Sequence, residues 1–417
     1  MEIKMKFEKY WIDLENEVNR RGGDGKALVE ALSDLCSIYE KGLYIWLAKL
    51  YCPEVGGFYY SNSGRDNEGF LPDLESTLQA TGIISRSGLI ESKKLLPEKM
   101  KEQIRGFLLD CFDPEDGYFY HKQWGKNIID ARRGRDLMWS ESMCADFGVK
   151  LPAPTATERL RASAAASSAD RGTVLENLPD YLRSKEAFLE YLKGWDFVGN
   201  SYVAGNNLVA QSRQIVAAGY APVAIEYLNS IQNPETGFWG DKSGYDAVNG
   251  FLKITSFYVD AKAPVNYAYK AAMSTIDCLT IPDSPPHVCC QYNVWFSLGN
   301  LLDLFDSLSD VMDKDEADKI KVAVLNRAPE AIAATKEKLL IFKKDDGSFS
   351  YTPMASSYVS QNAHVAVRGT NEGDVNATII CSVEILHKIY RALRLLDFIV
   401  PLYDEEDYKE FLANIRI

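Results

Sequence analysis

Six short stretches of this chain place carboxylates, amides and a few cations where apolar helices read as beginning. They are Pro72-Asp-Leu-Glu-Ser-Thr-Leu, Arg135-Asp-Leu-Met-Trp-Ser, Gly205-Asn-Asn-Leu-Val-Ala, Tyr245-Asp-Ala-Val-Asn-Gly-Phe, Cys290-Gln-Tyr-Asn-Val-Trp and Gly373-Asp-Val-Asn-Ala-Thr. Asp, Asn or Pro at such positions is what a helix N-terminus asks for. Gathered at one rim, those ends would present free N–H groups and aligned dipoles to polar or anionic ligands. Carboxylates ringed by aromatics suit sugar chemistry, in which one carboxyl protonates a leaving oxygen and a second acts as base or nucleophile. The expected catalytic groups are Glu75, Asp246, Glu372 and Asp374, with His121, just after an aromatic turn, as a proton-transfer candidate. For the aspartates the plainer reading is an N-cap.

Substrate contacts are expected from Asp73, Arg135, Asn207, Asn249, Asn293 and Asn376, from Lys253 one turn beyond Asn249, and from Tyr60, Tyr120 and Trp239. Arg65, Arg132 and Arg133 either bind a carboxylate or phosphate, as does Arg135, or lie as surface charge. Asp283, His287 and Cys289, with Cys290, form a local group of metal-ligand types. No second Cys/His group of zinc spacing accompanies them, so a packed loop is the plainer reading, and neither metal nor cofactor is expected. His387 reads as core.

Four glycine–aromatic corners organise the chain: Pro53-Glu-Val-Gly-Gly-Phe-Tyr-Tyr60, Pro114-Glu-Asp-Gly-Tyr-Phe-Tyr120, Asn233-Pro-Glu-Thr-Gly-Phe-Trp239 and Asp345-Asp-Gly-Ser-Phe-Ser-Tyr351. Aligned on Gly57, Gly117, Gly237 and Gly347, they stand 60, 120 and 110 residues apart, which fits a period near 60 with two degenerate copies. Amphipathic helical stretches precede them at 27–50, 98–111, 222–231 and 317–342, and the more apolar helices follow. Period-two alternation is sparse. Alternating outer and inner helices, about six pairs, describe an all-α (α/α)6 toroid occupying 1–417 as one domain. The Ala/Ser/Thr-rich stretch 151–180 is expected as an inserted loop carrying a weak helix at 157–169.

The stretch Tyr227-Leu-Asn-Ser-Ile-Gln232-Asn-Pro-Glu-Thr-Gly237-Phe-Trp239 resembles the QW repeat of squalene cyclases and the related terpenoid cyclase and protein prenyltransferase toroids. The other corners keep the glycine and aromatics but lack the glutamine. The resemblance implies the α/α-toroid fold over most of the chain, and it implies a bracing role for Gln232 and Trp239, set against the ligand contact considered above. The family's chemistry is not carried over. No Asp-x-Asp-Asp run occurs, and the acidic strings 313–318 and 404–407 read as solvated. The expectation is therefore a cavity for a small molecule or oligosaccharide, served by a carbohydrate hydrolase or lyase. An isoprenoid enzyme, a zinc-dependent transferase and a non-catalytic scaffold are the alternatives.

Composition narrows the field further. With 59 acidic against 46 basic residues, the formal net charge of −13 gives no support to nucleic-acid or anionic-membrane binding. No run of 18 apolar residues and no secretory leader is visible, and the eight cysteines lie scattered in apolar segments, which suits a cytoplasmic protein with reduced thiols. Phosphate-loop, Gly-x-Ser-x-Gly and His-Glu-x-x-His patterns are missing, which argues against nucleotide hydrolysis, serine esterases and zinc proteases.

Overall fold

The computed structural model describes residues 5–158, 181, 184–240 and 242–417. The expected insertion 151–180, with its weak helix, lies outside the described residues beyond position 158. The described chain is all-α. In order the helices are α1 (Glu8–Arg20), α2 (Gly25–Cys36), α3 (Lys41–Lys49), α4 (Asn62–Asp66), α5 (Leu74–Arg86), α6 (Glu98–Cys111), α7 (Asp130–Phe147), α8 (Lys185–Lys193) and α9 (Ser201–Ala210). They continue as α10 (Ser212–Ala217), α11 (Ala221–Ile231), α12 (Gly244–Ala261), α13 (Ala268–Thr280), α14 (Cys289–Ser307), α15 (Lys314–Leu340), α16 (Val375–Ile379), α17 (Ile385–Ala392) and α18 (Glu405–Asn414). Two ribbons of two-residue strands, β1 (Tyr51–Cys52) with β2 (Gly57–Phe58) and β3 (Val359–Ser360) with β4 (Ala363–His364), are both antiparallel.

Of the six expected inner-helix starts, four fall where the sequence placed them. Asp73 and Asp374 cap α5 and α16, accepting from the backbone N–H groups of Ser76 (3.1 Å) and Ala377 (2.7 Å), and α12 and α14 begin at Gly244 and Cys289. The other two move. Helix α7 starts five residues before Arg135, and α9 starts at Ser201, so Arg135 and Asn207 sit within helices and not at their ends. The outer stretch 27–50 breaks into α2 and α3.

Packing follows chain order. Helix α5 packs on α7, α9 on α12, α12 on α14, α14 on α17, and α16 on α5, while α6 packs on α7, α11 on α12, and α13 and α15 on α14. The end of the chain meets its beginning: α15 packs on α2, α18 on α3, and the Tyr39 hydroxyl donates to the Cys381 carbonyl at 2.7 Å.

All four corners share one construction. Each closes with an antiparallel bridge, at Tyr51–Phe58, Phe112–Phe119, Gln232–Trp239 and Lys343–Phe349. In the second and third, Asp113 and Asn233 accept the glycine N–H on their carbonyls, both at 2.8 Å, and the N–H two residues on with their side chains, also at 2.8 Å. The left-handed residues are Gly56, Gly117, Gly237 and Gly347, so the first corner aligns on Gly56 and not Gly57. Each glycine abuts backbone of another segment. An added Cβ would meet Gln103 O at 2.1 Å, Ala156 N at 2.6 Å, Ala271 N at 2.5 Å or Leu43 N at 2.5 Å. Positive φ and lack of room together require glycine there.

Candidate functional site

Helix α5 turns Glu75, Leu78, Gln79, Gly82 and Arg86 to one side at three- and four-residue spacing, and buries Leu74, Ile83 and Ile84 on the other. The first face borders a cavity of about 1060 Å³, whose walls also come from α7, α9, α12, α14 and residues 376–384. Glu75, Arg135, Lys253, Asn293 and Asn376 of the expected site residues line it, as do His287 and Cys289. Asn249 stands directly behind, accepting from the Asn293 amide at 2.8 Å.

Glu75 is the carboxylate the structure holds in place most firmly at this wall. It is 3 % exposed; Oε2 accepts from Arg132 Nη1 at 3.1 Å and from the Ser360 hydroxyl, and Oε1 accepts from the Gln79 amide at 3.2 Å. The same amide donates to Asn376 Oδ1 at 3.0 Å, tying α5 to α16. Arg132 lies buried within reach of the Trp124 and Trp139 rings, 4.9 and 5.4 Å from their centroids. It also bonds both oxygens of Asp136 (2.9 and 3.0 Å), Asp73 (3.4 Å) and the Ser360 carbonyl (3.0 Å). Three buried carboxylates thus share one guanidinium. Burial pushes Glu75 above the ordinary carboxylate value, with Arg132 pulling back without cancelling it; burial pushes Asp136 to about 7 against the same arginine. Arg132 is accordingly neither a free ligand-binding arginine nor surface charge.

A second carboxylate, Glu384, faces the cavity from a π-helical segment, Ile380–Glu384, between α16 and α17. Burial alone would raise it, but Arg86 and Lys388 outweigh that and hold it below the ordinary value; it pairs with Arg86 and stands 3.4 Å from Lys388. Arg86 folds back along α5, its Nε donating to the Gly82 carbonyl at 3.4 Å, so Glu384 stands along the same wall as Glu75, beside the middle of the helix.

Arg135 and Lys253 occupy the wall near Glu75. Gly205 and Gly250 bring α9 and α12 together so tightly that an added Cβ would lie 2.9 Å from the Lys253 Cβ and 2.0 Å from Ser201 Oγ. This fixes the Lys253 stem and carries its ammonium over the Tyr202 ring, 5.9 Å from the centroid. Burial, then the neighbouring Arg135 charge, lowers the Lys253 pKa. Tyr351 completes this side, stacked on His287 with ring centroids 5.5 Å apart.

The other expected residues do not border the cavity. Asp73 and Asp374 are caps; Asp374 also accepts from Tyr351 N (3.1 Å) and Ser357 N (3.2 Å), and burial pushes it to about 7. Glu372 is consumed by the Ser63 N–H (2.7 Å), the Ser63 hydroxyl and Ser356 (3.3 Å). His121 bonds the Pro72 carbonyl, accepts from Gln123 N at 3.2 Å and lies tilted against Trp124, ring centroids 4.4 Å apart, with its pKa lowered by burial. Asp246 is exposed on the first turn of α12. Tyr60 is buried beside Asp374, Tyr120 donates to Asp116 at 2.8 Å, and Asn207 donates to the Val203 carbonyl at 2.9 Å.

Trp239 is buried, donates to the Leu228 carbonyl at 2.9 Å and stacks on Phe251, while Gln232 donates to the carbonyls of Gly237 and Asn266, both at 2.8 Å. Asp283 is exposed, and Cys290 Sγ stands 3.8 Å from both ring nitrogens of His287. Among the described residues no group of three or more His, Cys, Asp or Glu is placed to hold a metal ion, and no helix is long and apolar enough to cross a membrane.

Sequence reasoning passed over Glu384, Gln79, Ser360 and Trp139. A lone glutamate inside the apolar run Ile379-Ile-Cys-Ser-Val-Glu384-Ile was a legible signal for the first. Ser360 reaches Glu75 from 285 residues away, which no local pattern announces. Compared with protein-family models, with curated proteins and with solved structures, the chain finds no match.

Proposed function

We propose that the protein is an α/α toroid whose central cavity binds an oligosaccharide, and that Glu75 is the acid–base group acting on it. The order of helix packing supports the toroid, since α9, α12, α14 and α17 pack in succession, α16, α5 and α7 do likewise, and the chain's end packs on its start. The observation that carries the function is the setting of Glu75: a cavity-facing carboxyl, pushed toward its protonated form by burial and fixed by Arg132, Ser360 and Gln79. A carboxyl shifted in this direction is suited to donating a proton to a leaving oxygen. Amides of Gln79, Asn293 and Asn376 suit ring hydroxyls, and Tyr202, Tyr351 and Trp139 offer faces for pyranose stacking. These polar walls speak against an isoprenoid occupant, which needs an apolar one.

The test is turnover of an oligosaccharide panel by the wild-type chain and by Glu75→Gln. The substituted amide keeps an acceptor oxygen for Arg132, so the fold is retained. Turnover of some glycan that falls at least about a hundredfold in the variant, with binding kept, is the expected result. Equal turnover in both proteins, or no binding of any glycan, overturns the proposal.

A further inference from the structure

We propose that Arg135 and Lys253 form a carboxylate-binding subsite within the cavity, so that the preferred ligand is an acidic sugar of the uronate class. This rests on the oligosaccharide reading and narrows it.

Among the described residues, no hydrogen bond or ion pair reaches either side chain. Lys253 stands over the ring of Tyr202 with Cys289 nearby, and Glu75, already engaged by Arg132, feels Arg135 only at a distance. Of the other cations on these walls, Arg86 pairs with Glu384 and Lys93 with Asp146 at 2.7 Å; Lys94 and Arg135 are both exposed, and it is Arg135 that stands beside the half-buried Lys253. Burial, and then repulsion by Arg135, lowers the proton affinity of the half-buried lysine, a cost that no hydrogen bond or ion pair to a described side chain offsets. A bound anion would offset it.

The occupant's chemistry follows from the surroundings. Arg135 supplies a planar fork and Lys253 a point charge, which together match one delocalised carboxylate. Next to them stand Tyr202, Tyr351 and the Asn293 amide, suited to a ring and its hydroxyls. A diphosphate carries more charge than two cations balance, and neither residue sits at a helix N-terminus that would add N–H donors, since Arg135 lies in the second turn of α7 and Lys253 in the third of α12.

Calorimetric titration of the purified chain with α-1,4-linked galacturonate oligomers, their methyl-esterified neutral counterparts and geranyl diphosphate tests this. The acidic oligomer should bind at least tenfold more tightly than its ester, and Lys253→Met and Arg135→Gln should each erase about that factor while leaving the ester's affinity unchanged. Since both side chains are unpaired, both variants should melt at or above the wild-type temperature, which separates a lost subsite from a lost fold. Equal affinity for acid and ester removes the subsite and leaves the oligosaccharide reading standing. Binding of neither sugar removes the subsite, and binding of the diphosphate alone removes both readings.

Discussion

Replacing Arg132 by methionine isolates the buried charge cluster. Its guanidinium is the shared counter-ion of Asp73, Glu75 and Asp136, which are 1, 3 and 0 % exposed. Methionine fits between Trp124 and Trp139, so the loss is chiefly electrostatic. Removing one partner from buried ion pairs of this kind costs about 3–5 kcal/mol. The penalty should depend on pH, and its sign is fixed by the direction of the shifts. Burial already holds Glu75 and Asp136 above their unfolded values, and losing the arginine raises them further. Stability tied to such groups is complete below the unfolded carboxylate pKa and is lost as pH rises through the folded one. The variant's deficit should therefore be smaller at pH 5 than at pH 8, by about 1.4 kcal/mol for each further pKa unit gained by a carboxylate. Guanidinium denaturation of both proteins at the two pH values measures it. A deficit under about 1 kcal/mol, or one equal at both pH values, would refute the account of three carboxylates depending on one cation.

Other outcomes follow from the same geometry. Asp136→Asn, whose wild-type carboxyl is pushed to about 7 from 3.8, should gain stability relative to the wild type as pH rises from 5 to 8.5; the difference between the proteins cancels the histidines, and a flat difference would contradict it. Gly237→Ala forces a side chain at φ +73° into Ala271 backbone and should cost about 2–4 kcal/mol in urea melts, whereas Gly219→Ala, at φ +81° with nothing within 4 Å, should cost only about 1. Trp239→Phe should cost about 2–3 kcal/mol through the orphaned Leu228 carbonyl and lost packing, yet leave ligand affinity unchanged; altered affinity would restore it as a binding residue. If Glu75 acts as an acid, kcat/KM should decline as pH climbs through its raised pKa, and a profile rising there would assign it the opposite role.

Local rules made a good part of this architecture readable before any coordinates. Asp73 and Asp374 announce helix starts because a cap acts within three residues of itself, and the corners repeat because each needs a left-handed glycine beside a bridge. The reading slipped by one residue at Gly57, where two adjacent glycines hide which of them turns. Helices α7 and α9 were placed too late because Arg135-Asp and Gly205-Asn-Asn look like caps, while the stretches before them carry equally good helix formers. The cavity chemistry was harder. Arg132 looked like one of several surface arginines because its three carboxylates come from α5 and its own helix, and nothing in the spacing of residues 73, 75 and 132 says that they meet. Glu372 and Asp374 have the right residue types but spend their oxygens on loop backbone and serines, which only long-range packing decides.

The seam between Gly42 and Gly347 carries an implication for synthesis in time. Gly347 nests on the backbone of Leu43, and α15 covers α2, so the first hairpin finds its lasting neighbours only after some three hundred further residues have emerged. At 5–20 residues per second that interval is roughly 15–60 s. Through it, Leu32, Leu35 and Leu43, each wholly enclosed in the finished molecule, have only transient cover. Nascent chains stalled before residue 314 should therefore be recruiters of chaperones, and the completed polypeptide should not.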